Sequence, residues 1–477
     1  MRVSTDKFKD RASSTIGNID IQDSLENVYN NLNKRRIDAA KDTENWERLR
    51  SEGKSIKDHT ILNLDRYLEL LSTNVTKNGG KVFFANDVKE ANRYIESLVK
   101  SRDVKTVIKS KSMDSEEIGI NDVLKNMDVE SIETDLGEYI VQLAGEPPYH
   151  LIAPAIHKTR EQISRLIAPK QTVVETDPKE LTRIAREQLR PVFRKSDMSI
   201  TGVNFAVAES GSIVLVTNEG NGRMATSLPK IHVALMGMEK VIPTISDLST
   251  LLRILIRSAT GQRISSYVTM INGPKGENED GPDEFHLVIL DNGRSKLLSD
   301  PVLREALNCI RCGACLNACP IYRKAGGHSY GWVYPGPIGA IISPVMTGVS
   351  QGKDLPFAST LCGACHEACP VKINIPRMLL ELRGQIKEGS NQIKRTKFWF
   401  FENLFWSFWK WSMNSRWKYE IVFRILSALS RPVAHNGWLK KMPPPFSGWT
   451  SSRDFPVPGT DSFVQKNRKD RKKSYGK

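Results

Sequence analysis

Residues 309–320 read CIRCGACLNACP, which places cysteines at positions 309, 312, 315 and 319 and a proline directly after the last of them. Three thiols with two residues between neighbours allow one short loop to curl around a single iron–sulfur cube. The fourth cysteine then falls at the start of a helix, where the proline loses nothing by lacking an N–H group. This spacing predicts a loop that ligates a cluster and directs one further thiolate elsewhere.

A second motif, STLCGACHEACP, follows at residues 359–370 and makes the pair the one internal repeat that the sequence shows. Its spacing reproduces the first motif, except that Ser359 stands where the first cysteine would be. In two-cluster ferredoxins the fourth cysteine of such a motif ligates the other cluster. This rule predicts two 4Fe-4S clusters, the first on Cys309, Cys312, Cys315 and Cys369 and the second on Cys319, Cys362 and Cys365.

The second cluster thus has three thiolates, and its fourth ligand stays open at this stage. The Ser359 hydroxyl, a buried water, a residue of a partner or a three-iron cluster would each account for it. His366 neighbours Cys365 and would have to double back, so it is not favoured as a ligand. Zinc prefers a closed tetrahedron of four ligands, usually supplied as C-x2-C pairs, and this spacing fits zinc poorly.

The distribution of the cysteines also indicates the compartment. All seven lie between Cys309 and Cys369, whereas a secreted disulfide framework would scatter an even number along the chain. The first residues, MRVSTDKFKDRASS, lack the apolar stretch of a secretory signal, and no run of about 18 apolar residues is present. We therefore expect a cytoplasmic protein in a compartment that keeps thiols reduced.

Residues 76–295, upstream of the cysteines, alternate between strand-like and helix-like patterns. Strands are predicted at residues 81–85, 106–108, 150–153, 213–217, 231–236, 267–271 and 285–291. Helices are predicted at residues 116–127, 178–194 and 246–258. The alternation favours a three-layer α/β domain with a mostly parallel sheet. Residues 1–75 are charged, with apolar positions at helical spacing, and predict a helical N-terminal arm for packing or oligomerisation.

A glycine-rich loop of the α/β domain is a candidate anion site. It follows a predicted strand and contains Glu219, Gly220, Asn221, Gly222 and Arg223. Backbone N–H groups of such a loop, together with the arginine, would hold a carboxylate or a phosphate. The same two glycines would equally serve a tight turn that needs positive φ angles.

No catalytic residue can be named from the sequence. Glu209, which precedes a Ser-Gly pair at residues 210–211, is either a site carboxylate or a turn residue. We find no Ser/His/Asp set, no HExxH motif and no flavin or nicotinamide fingerprint.

The formal net charge of +15 is concentrated at the end of the chain. Residues 380–477 hold 20 Lys+Arg against 7 Asp+Glu, so the rest of the chain is close to neutral. Seven of the nine tryptophans lie within residues 399–449, and residues 398–411 read FWFFENLFWSFWKW. We therefore expect a 4Fe-4S ferredoxin-type domain at residues 300–380, followed by an aromatic and basic C-terminal region at residues 381–477 with a disordered tail.

The aromatic stretch predicts a helix with two alternative uses. It packs on the ferredoxin-type domain and shields it from water, or it offers a docking surface for partner subunits or an anionic membrane face. Nucleic acid also attracts basic segments. A nucleic-acid-binding role would leave the cysteine motifs without a purpose, and residues 1–379 are close to neutral. We expect no nucleic-acid partner.

Together these features resemble one known family, lactate utilization protein B, the iron–sulfur subunit of a bacterial three-component L-lactate oxidation system. The resemblance rests on KSKSM at residues 109–113, EEIG at residues 116–119 and AESGSIVLVTNEGNGR at residues 208–223, followed by the two cysteine motifs and the aromatic basic tail. It covers nearly the whole chain. The order of the cysteine motifs behind this α/β domain is the specific part, since the motifs alone occur in many redox proteins.

The resemblance implies an α/β lactate-utilisation domain, similar to sugar-phosphate isomerases and CoA transferases, and an α-helical ferredoxin domain with two 4Fe-4S clusters on the seven cysteines. It implies two partners, a second cysteine-rich iron–sulfur subunit and a smaller lactate-utilisation-domain protein, and a role in oxidising L-lactate to pyruvate during growth on lactate. We expect a non-catalytic electron-transfer subunit, because thiolate-ligated clusters carry single electrons. Two alternatives stay open: the α/β domain itself binds and converts a hydroxy acid, or the incompletely ligated cluster makes the protein a redox sensor.

Overall fold

The structure, a computed structural model, describes residues 3–169, 174–389, 399–443 and 446–459, with residues 463, 466, 467 and 470 beyond them. The chain divides into two compact units, Met1–Ile393 and Lys394–Lys477. The first unit contains the α/β domain and both cysteine motifs, and the second contains the aromatic and basic residues.

The strands, in chain order, are β1 (Lys81–Ala85), β2 (Thr106–Lys109), β3 (Glu130–Glu133), β4 (Met198–Gly202), β5 (Phe205–Val207), β6 (Ser212–Thr217), β7 (Ile231–Gly237), β8 (Val241–Ile242), β9 (Tyr267–Ile271), β10 (Glu284–Leu290), β11 (Trp438–Leu439) and β12 (Phe455–Pro456).

The α-helices are α1 (Phe8–Ile16), α2 (Ile19–Val28), α3 (Lys34–Lys41), α4 (Trp46–Leu62), α5 (Leu64–Lys77), α6 (Val88–Ser101), α7 (Met113–Ile118), α8 (Ile120–Asn126), α9 (Leu136–Leu143), α10 (Arg160–Ile167), α11 (Pro178–Lys195), α12 (Asn221–Ser227), α13 (Ile245–Thr260), α14 (Arg294–Ser299), α15 (Ala314–Asn317), α16 (Tyr322–Ala325), α17 (Gly336–Thr347), α18 (Val349–Gly352), α19 (Ala364–Ala368), α20 (Ile375–Glu388), α21 (Trp399–Met413) and α22 (Arg416–Ser430). A π-helical segment, Tyr29–Asn33, joins α2 to α3, and short 3-10 turns include Met238–Lys240 and Leu303–Asn308.

Six strands form one fully parallel sheet in the order β1-β10-β7-β4-β2-β3. Side chains alternate between its two faces: in β10, Phe285, Leu287 and Ile289 join one apolar core while Val288 and Leu290 join another. Helix α6 contributes to the second core and α5 to the first. A parallel sheet is stable when both faces are covered in this way, so the predicted three-layer α/β domain is confirmed.

Most of the predicted strands are present within a residue or two, and those at residues 81–85 and 267–271 match in full. The strand predicted at residues 150–153 is wrong, because this segment makes a compact turn in which the Tyr149 N–H donates to the Pro154 carbonyl at 2.9 Å. The helix predicted at residues 116–127 is two helices, since Gly119 adopts a φ of 65° between α7 and α8. The sequence missed the short strands β3, β4, β5 and β8.

Four strands form a second, mixed sheet in the order β8-β5-β6-β9. Strand β5 starts soon after β4 ends, and β8 follows β7 through the 3-10 turn Met238–Lys240. The second sheet therefore lies beyond the carboxyl ends of β4 and β7. Helix α13 packs against this sheet, so the carboxyl edge of the large sheet borders an enclosed space.

The N-terminal helices pack on both halves of the first unit. Helix α4 contacts α13 and the 3-10 turn Leu303–Asn308 that leads into the first cysteine motif. The Phe8 ring of α1 meets the Tyr330 ring edge-on at 5.2 Å. Within this chain, the predicted helical arm is used for packing.

Between residues 399 and 459 the C-terminal unit has the α-helices α21 and α22, which pack against each other. The Phe405 ring of α21 contacts the Phe446 ring, and Trp449 contacts Phe455 within the segment that follows the helices. Among the described residues, no helix is both long enough and apolar enough to cross a membrane. Phe398 and residues 471–477 lie outside the described residues, so the expected disordered tail stays a prediction.

A buried guanidinium joins the α/β domain to the segment before the cysteines. Arg294 of α14 is 1% exposed and donates to Asp114 at 3.0 Å, to both oxygens of Glu117 at 2.9 and 3.0 Å, and to Glu239 at 2.6 Å. Tyr334, from the insert between the cysteine motifs, donates to Glu117 at 2.6 Å. Three buried carboxylates thus share the Arg294 guanidinium, and Glu239 pairs with Arg311 as well.

Replacing Arg294 with methionine will strongly destabilise the first unit. The change leaves buried carboxylates without their partner, which costs about 3–5 kcal/mol in comparable sites. The midpoint of urea unfolding, followed by circular dichroism, will fall accordingly. Arg183→Met is the matched control, because Arg183 pairs with Glu180 and Glu187 on the exposed face of α11. Equal midpoints for the two variants would contradict a structural role of the network.

Candidate metal centre and adjoining cavity

The cysteines of the two motifs meet within the first compact unit. Cys309, Cys312 and Cys315 line one small cavity, and Cys369 of the second motif lines the same cavity. Its remaining walls are mostly apolar and include Leu151, Ile310, Ile338, Val371, Ile373 and Ile375. The structure therefore brings together the four cysteines that the sequence assigns to the first cluster.

Backbone N–H groups point at the sulfur atoms that end each motif. The Ile373 N–H donates to Cys369 Sγ at 3.4 Å, and the Tyr322 N–H donates to Cys319 Sγ at 3.4 Å. Such bonds stabilise thiolates and tune the reduction potential of a cluster bound to them. Both donors follow a Cys-Pro pair, but Tyr322 lies three residues after its cysteine and Ile373 lies four residues after its own.

Four sulfur donors in an apolar pocket fit an iron–sulfur cluster. Burial raises the pKa of Cys369 to about 11 and that of Cys365 to about 12. These thiols therefore keep their protons at neutral pH until metal ions bind to the sulfur atoms and displace the protons. The site suits a ligand that brings its own positive metal ions, and Cys309, Cys312, Cys315 and Cys369 would hold it.

The three other cysteines do not line that cavity. Cys365 interacts electrostatically with Cys319 and Cys362, and also with Cys315 of the first group. Cys362 is exposed, whereas Cys319 and Cys365 are buried. This group matches the predicted second ligand set, and one of its edges faces solvent.

Ser359 stands where the first cysteine of the second motif would be, and its hydroxyl already accepts a hydrogen bond. Ser359 Oγ accepts a bond from the Leu361 N–H at 3.1 Å, and the Ser359 carbonyl accepts one from Arg383 at 2.9 Å. His366 Nδ1 lies 2.9 Å from the Ile373 carbonyl, which holds the ring toward the segment after the second motif. Neither contact identifies the fourth ligand of the second cluster.

Arg311 lies within the first cysteine motif, and its guanidinium interacts electrostatically with Cys309 as well as with groups of the α/β domain. Its φ of 58° is unusual for a residue other than glycine, and its side chain is 8% exposed. Arg311 donates to Glu239 at 2.8 Å, and its guanidinium lies 4.8 Å from the centre of the Tyr334 ring. A residue of the cluster-binding loop thereby enters the α/β domain.

A second, larger cavity of about 300 Å³ lies where Arg311 enters the α/β domain. Its walls come from the residues after β2 (Ser110 to Asp114), the residues after β4 (Gly202 to Asn204), the end of β6 and helix α13. Strands β2 and β4 are neighbours in the sheet. The next strand of this sheet after β2 is β3, on one side of the pair, and the next after β4 is β7, on the other side. In open α/β sheets, ligands bind at such a divergence, at the carboxyl ends of the strands.

The glycine-rich loop reaches this cavity only in part. Glu219 and Asn221 line it, but Arg223 does not. Arg223 is exposed, and its guanidinium lies 5.7 Å from the centre of the Tyr267 ring. Gly220 and Asn221 begin α12, so the loop makes a turn into a helix. The cations of the cavity are instead Lys111, Lys240 and Arg311.

Sequence reasoning missed Lys240 and Arg311 as cavity residues. Lys240 sits in a 3-10 turn after β7 that carries no motif, and Arg311 was counted only as a spacer between two cysteines. The ends of the predicted parallel strands were an available signal, because residues directly after such strands share one edge of the sheet.

Comparison with known families and proteins agrees with this division of the chain. The family described as LUD domain matches residues 68–290, and the family described as 4Fe-4S dicluster domain matches residues 305–373.

Curated relatives match almost end to end. Lactate utilization protein B of Oceanobacillus iheyensis is 44% identical over 96% of this chain and 95% of its own length. Proteins of that name from Bacillus subtilis and Anoxybacillus flavithermus are 44% and 45% identical, each over 97% of this chain and 96% and 98% of their own lengths. A solved structure, a DUF162 family protein from Deinococcus radiodurans, is 11% identical over 48% of this chain and 98% of its own, with a TM-score of 0.27 that supports no fold argument.

If the last cysteine of each motif ligates the cluster of the other motif, replacing Cys369 and replacing Cys319 will have different effects on the iron content. In a Cys362→Ala/Cys365→Ala background the second cluster is lost, and about four irons per chain remain. Adding Cys369→Ala will remove these too, whereas adding Cys319→Ala, the matched control, will leave them in place. Iron and acid-labile sulfide of anaerobically purified protein are the readout. The reverse pattern would show that each motif binds its own cluster.

Proposed function

The chain belongs to the lactate utilization protein B family, and we propose that it is the iron–sulfur electron-transfer subunit of a system that oxidises L-lactate to pyruvate and so allows growth on lactate. The observation that carries this proposal is the convergence of Cys309, Cys312, Cys315 and Cys369 on one apolar cavity. The dicluster match over residues 305–373 supports two clusters in this domain.

Clusters of this type, when bound, supply one-electron transfer with little structural rearrangement. The chain's own contribution is to hold the ligands in place and to control access of water. Apolar side chains such as Ile310, Ile338 and Val371 surround the first cysteine group, while Cys362 leaves an edge of the second group exposed. The exposed edge suits exchange with a partner, and the buried group suits a protected internal position.

The partners follow from the proposal. A second cysteine-rich iron–sulfur subunit and a smaller lactate-utilisation-domain protein would complete the system. The aromatic and basic C-terminal unit, with exposed Phe405, Trp409 and Trp417, would dock one of these subunits or an anionic membrane face. A cytoplasmic location is part of the proposal, because the cysteines need a reducing compartment.

Electron flow from lactate tests the proposal directly. Anaerobic protein is mixed with L-lactate, with and without the two partner proteins, and the reduced clusters are followed by EPR. The proposal predicts a signal of reduced clusters only when lactate and the partners are present together. The matched control is the Cys362→Ala/Cys365→Ala/Cys369→Ala protein, which would remain silent under all conditions.

Two results would contradict the proposed function. Zinc without iron or sulfide in anaerobically purified protein would exclude electron transfer. Reduction by lactate without either partner would make this chain the catalytic subunit rather than a conductor.

A further inference from the structure

The larger cavity of the α/β domain carries polar groups that have no partner among the described residues. Asn221 is 5% exposed, and both atoms of its amide are buried without a hydrogen bond. Arg311 Nη1 is likewise buried and unbonded. Buried polar groups without partners are rare in folded proteins, because each one costs free energy. Asn221 and Arg311 line the same cavity, so one polar ligand bound there would complete both.

Charged side chains of both signs line the cavity: the cations of Lys111, Lys240 and Arg311, and the carboxyl groups of Asp114, Asp135 and Glu219. Lys240 is 7% exposed, and neither Lys240 nor Lys111 has a hydrogen bond or ion pair within the described part of the chain. Asp114 also lines the cavity, but its carboxylate pairs with Arg294 at 3.0 Å. Arg311 pairs with Glu239 through one nitrogen only. The ammonium N–H groups of Lys111 and Lys240 and one N–H group of Arg311 therefore have no acceptor among the described residues and can donate to an anion, while the charge of Lys240 also attracts Asp114 and Glu239.

Two acidic residues stand on the remaining wall. Asp135 caps α9 by accepting from the Glu138 N–H at 3.2 Å, and Glu219 accepts from the Leu136 N–H at 3.3 Å. Burial, and then the charge of Asp135, raise the pKa of Glu219, which favours a proton on that carboxyl. The wall thus adds oxygen atoms that can exchange hydrogen bonds with a hydroxyl or a carbonyl group.

We propose that this cavity binds a small 2-hydroxy or 2-oxo carboxylate, with its carboxylate on Lys240 and Arg311 and its 2-oxygen near Asn221. The choice of this class of anion rests on the proposed function, whereas the existence of an anion site rests on the unpartnered groups alone. The site lies in the α/β domain and uses Arg311 of the cluster-binding loop, so a bound carboxylate sits beside the first cysteine group. The exposed Arg223 has no part in it.

Calorimetric titration of the anaerobic, iron-loaded protein tests the site without any partner. L-lactate, pyruvate, propionate and inorganic phosphate are titrated separately. We expect saturable binding of lactate or pyruvate that is weaker for propionate, which lacks the 2-oxygen. Lys240→Gln will weaken this binding by about tenfold or more, because it removes a charge-assisted hydrogen bond, and iron content will not change.

Lys230→Gln is the matched control, since Lys230 is exposed and precedes β7 while Lys240 follows the same strand. Three outcomes would overturn the inference: binding of phosphate alone, no binding of either acid, or loss of binding in Arg223→Gln but not in Lys240→Gln. Any of these would leave the proposed function standing, because iron content and partner-dependent reduction are measured separately.

Discussion

The contacts of Glu239 hold the α/β domain, the cysteine loop and helix α4 of the first unit together. Glu239 is fully buried, and its carboxylate accepts one bond from Arg294 of the α/β domain at 2.6 Å and one from Arg311 of the cysteine loop at 2.8 Å. Its backbone carbonyl accepts from the buried Lys57 of helix α4 at 2.6 Å. Burial alone would raise the pKa of Glu239, but the two guanidinium groups lower it to about 2. Three distant parts of the sequence therefore meet at one residue.

These contacts also act on the cavity beside them. A side chain on Gly237 would place its Cβ 2.2 Å from the Glu239 carboxylate and 2.3 Å from Arg294, so only glycine lets these groups approach. Arg294 and Arg311 pair with Asp114 and Glu239 through hydrogen bonds, so the ammonium N–H groups of the lysines that face the cavity are left to donate to a ligand. Buried ion pairs add little net stability, and here they hold the cysteine loop against the α/β domain in one orientation.

The fold and the cysteine groups could be predicted wherever residues of one chemical type recur at a regular spacing. The cysteine spacing predicted which four thiols meet, and strand patterns such as KVFFA at residues 81–85 predicted a parallel α/β sheet. Short strands such as β5 and β8 were missed, because two or three residues carry no periodicity. The cavity was missed because it depends on tertiary contacts: Asn221, Lys240 and Arg311 lie in unrelated segments and meet only through the crossing of the strands. Arg223, an anion ligand in one of the two interpretations that the glycine-rich loop allowed, is exposed and does not line the cavity.

Arg311 belongs to the proposed anion site and also interacts with Cys309, so an anion bound in the α/β cavity will act on the first cluster. The most direct measurement is an EPR-monitored redox titration of the two clusters with and without saturating pyruvate. A carboxylate bound beside Arg311 will make reduction less favourable for the cluster on Cys309, Cys312, Cys315 and Cys369, so its midpoint potential will fall while that of the other cluster stays nearly constant. Unchanged potentials for both clusters, or an equal shift of both, would contradict the account.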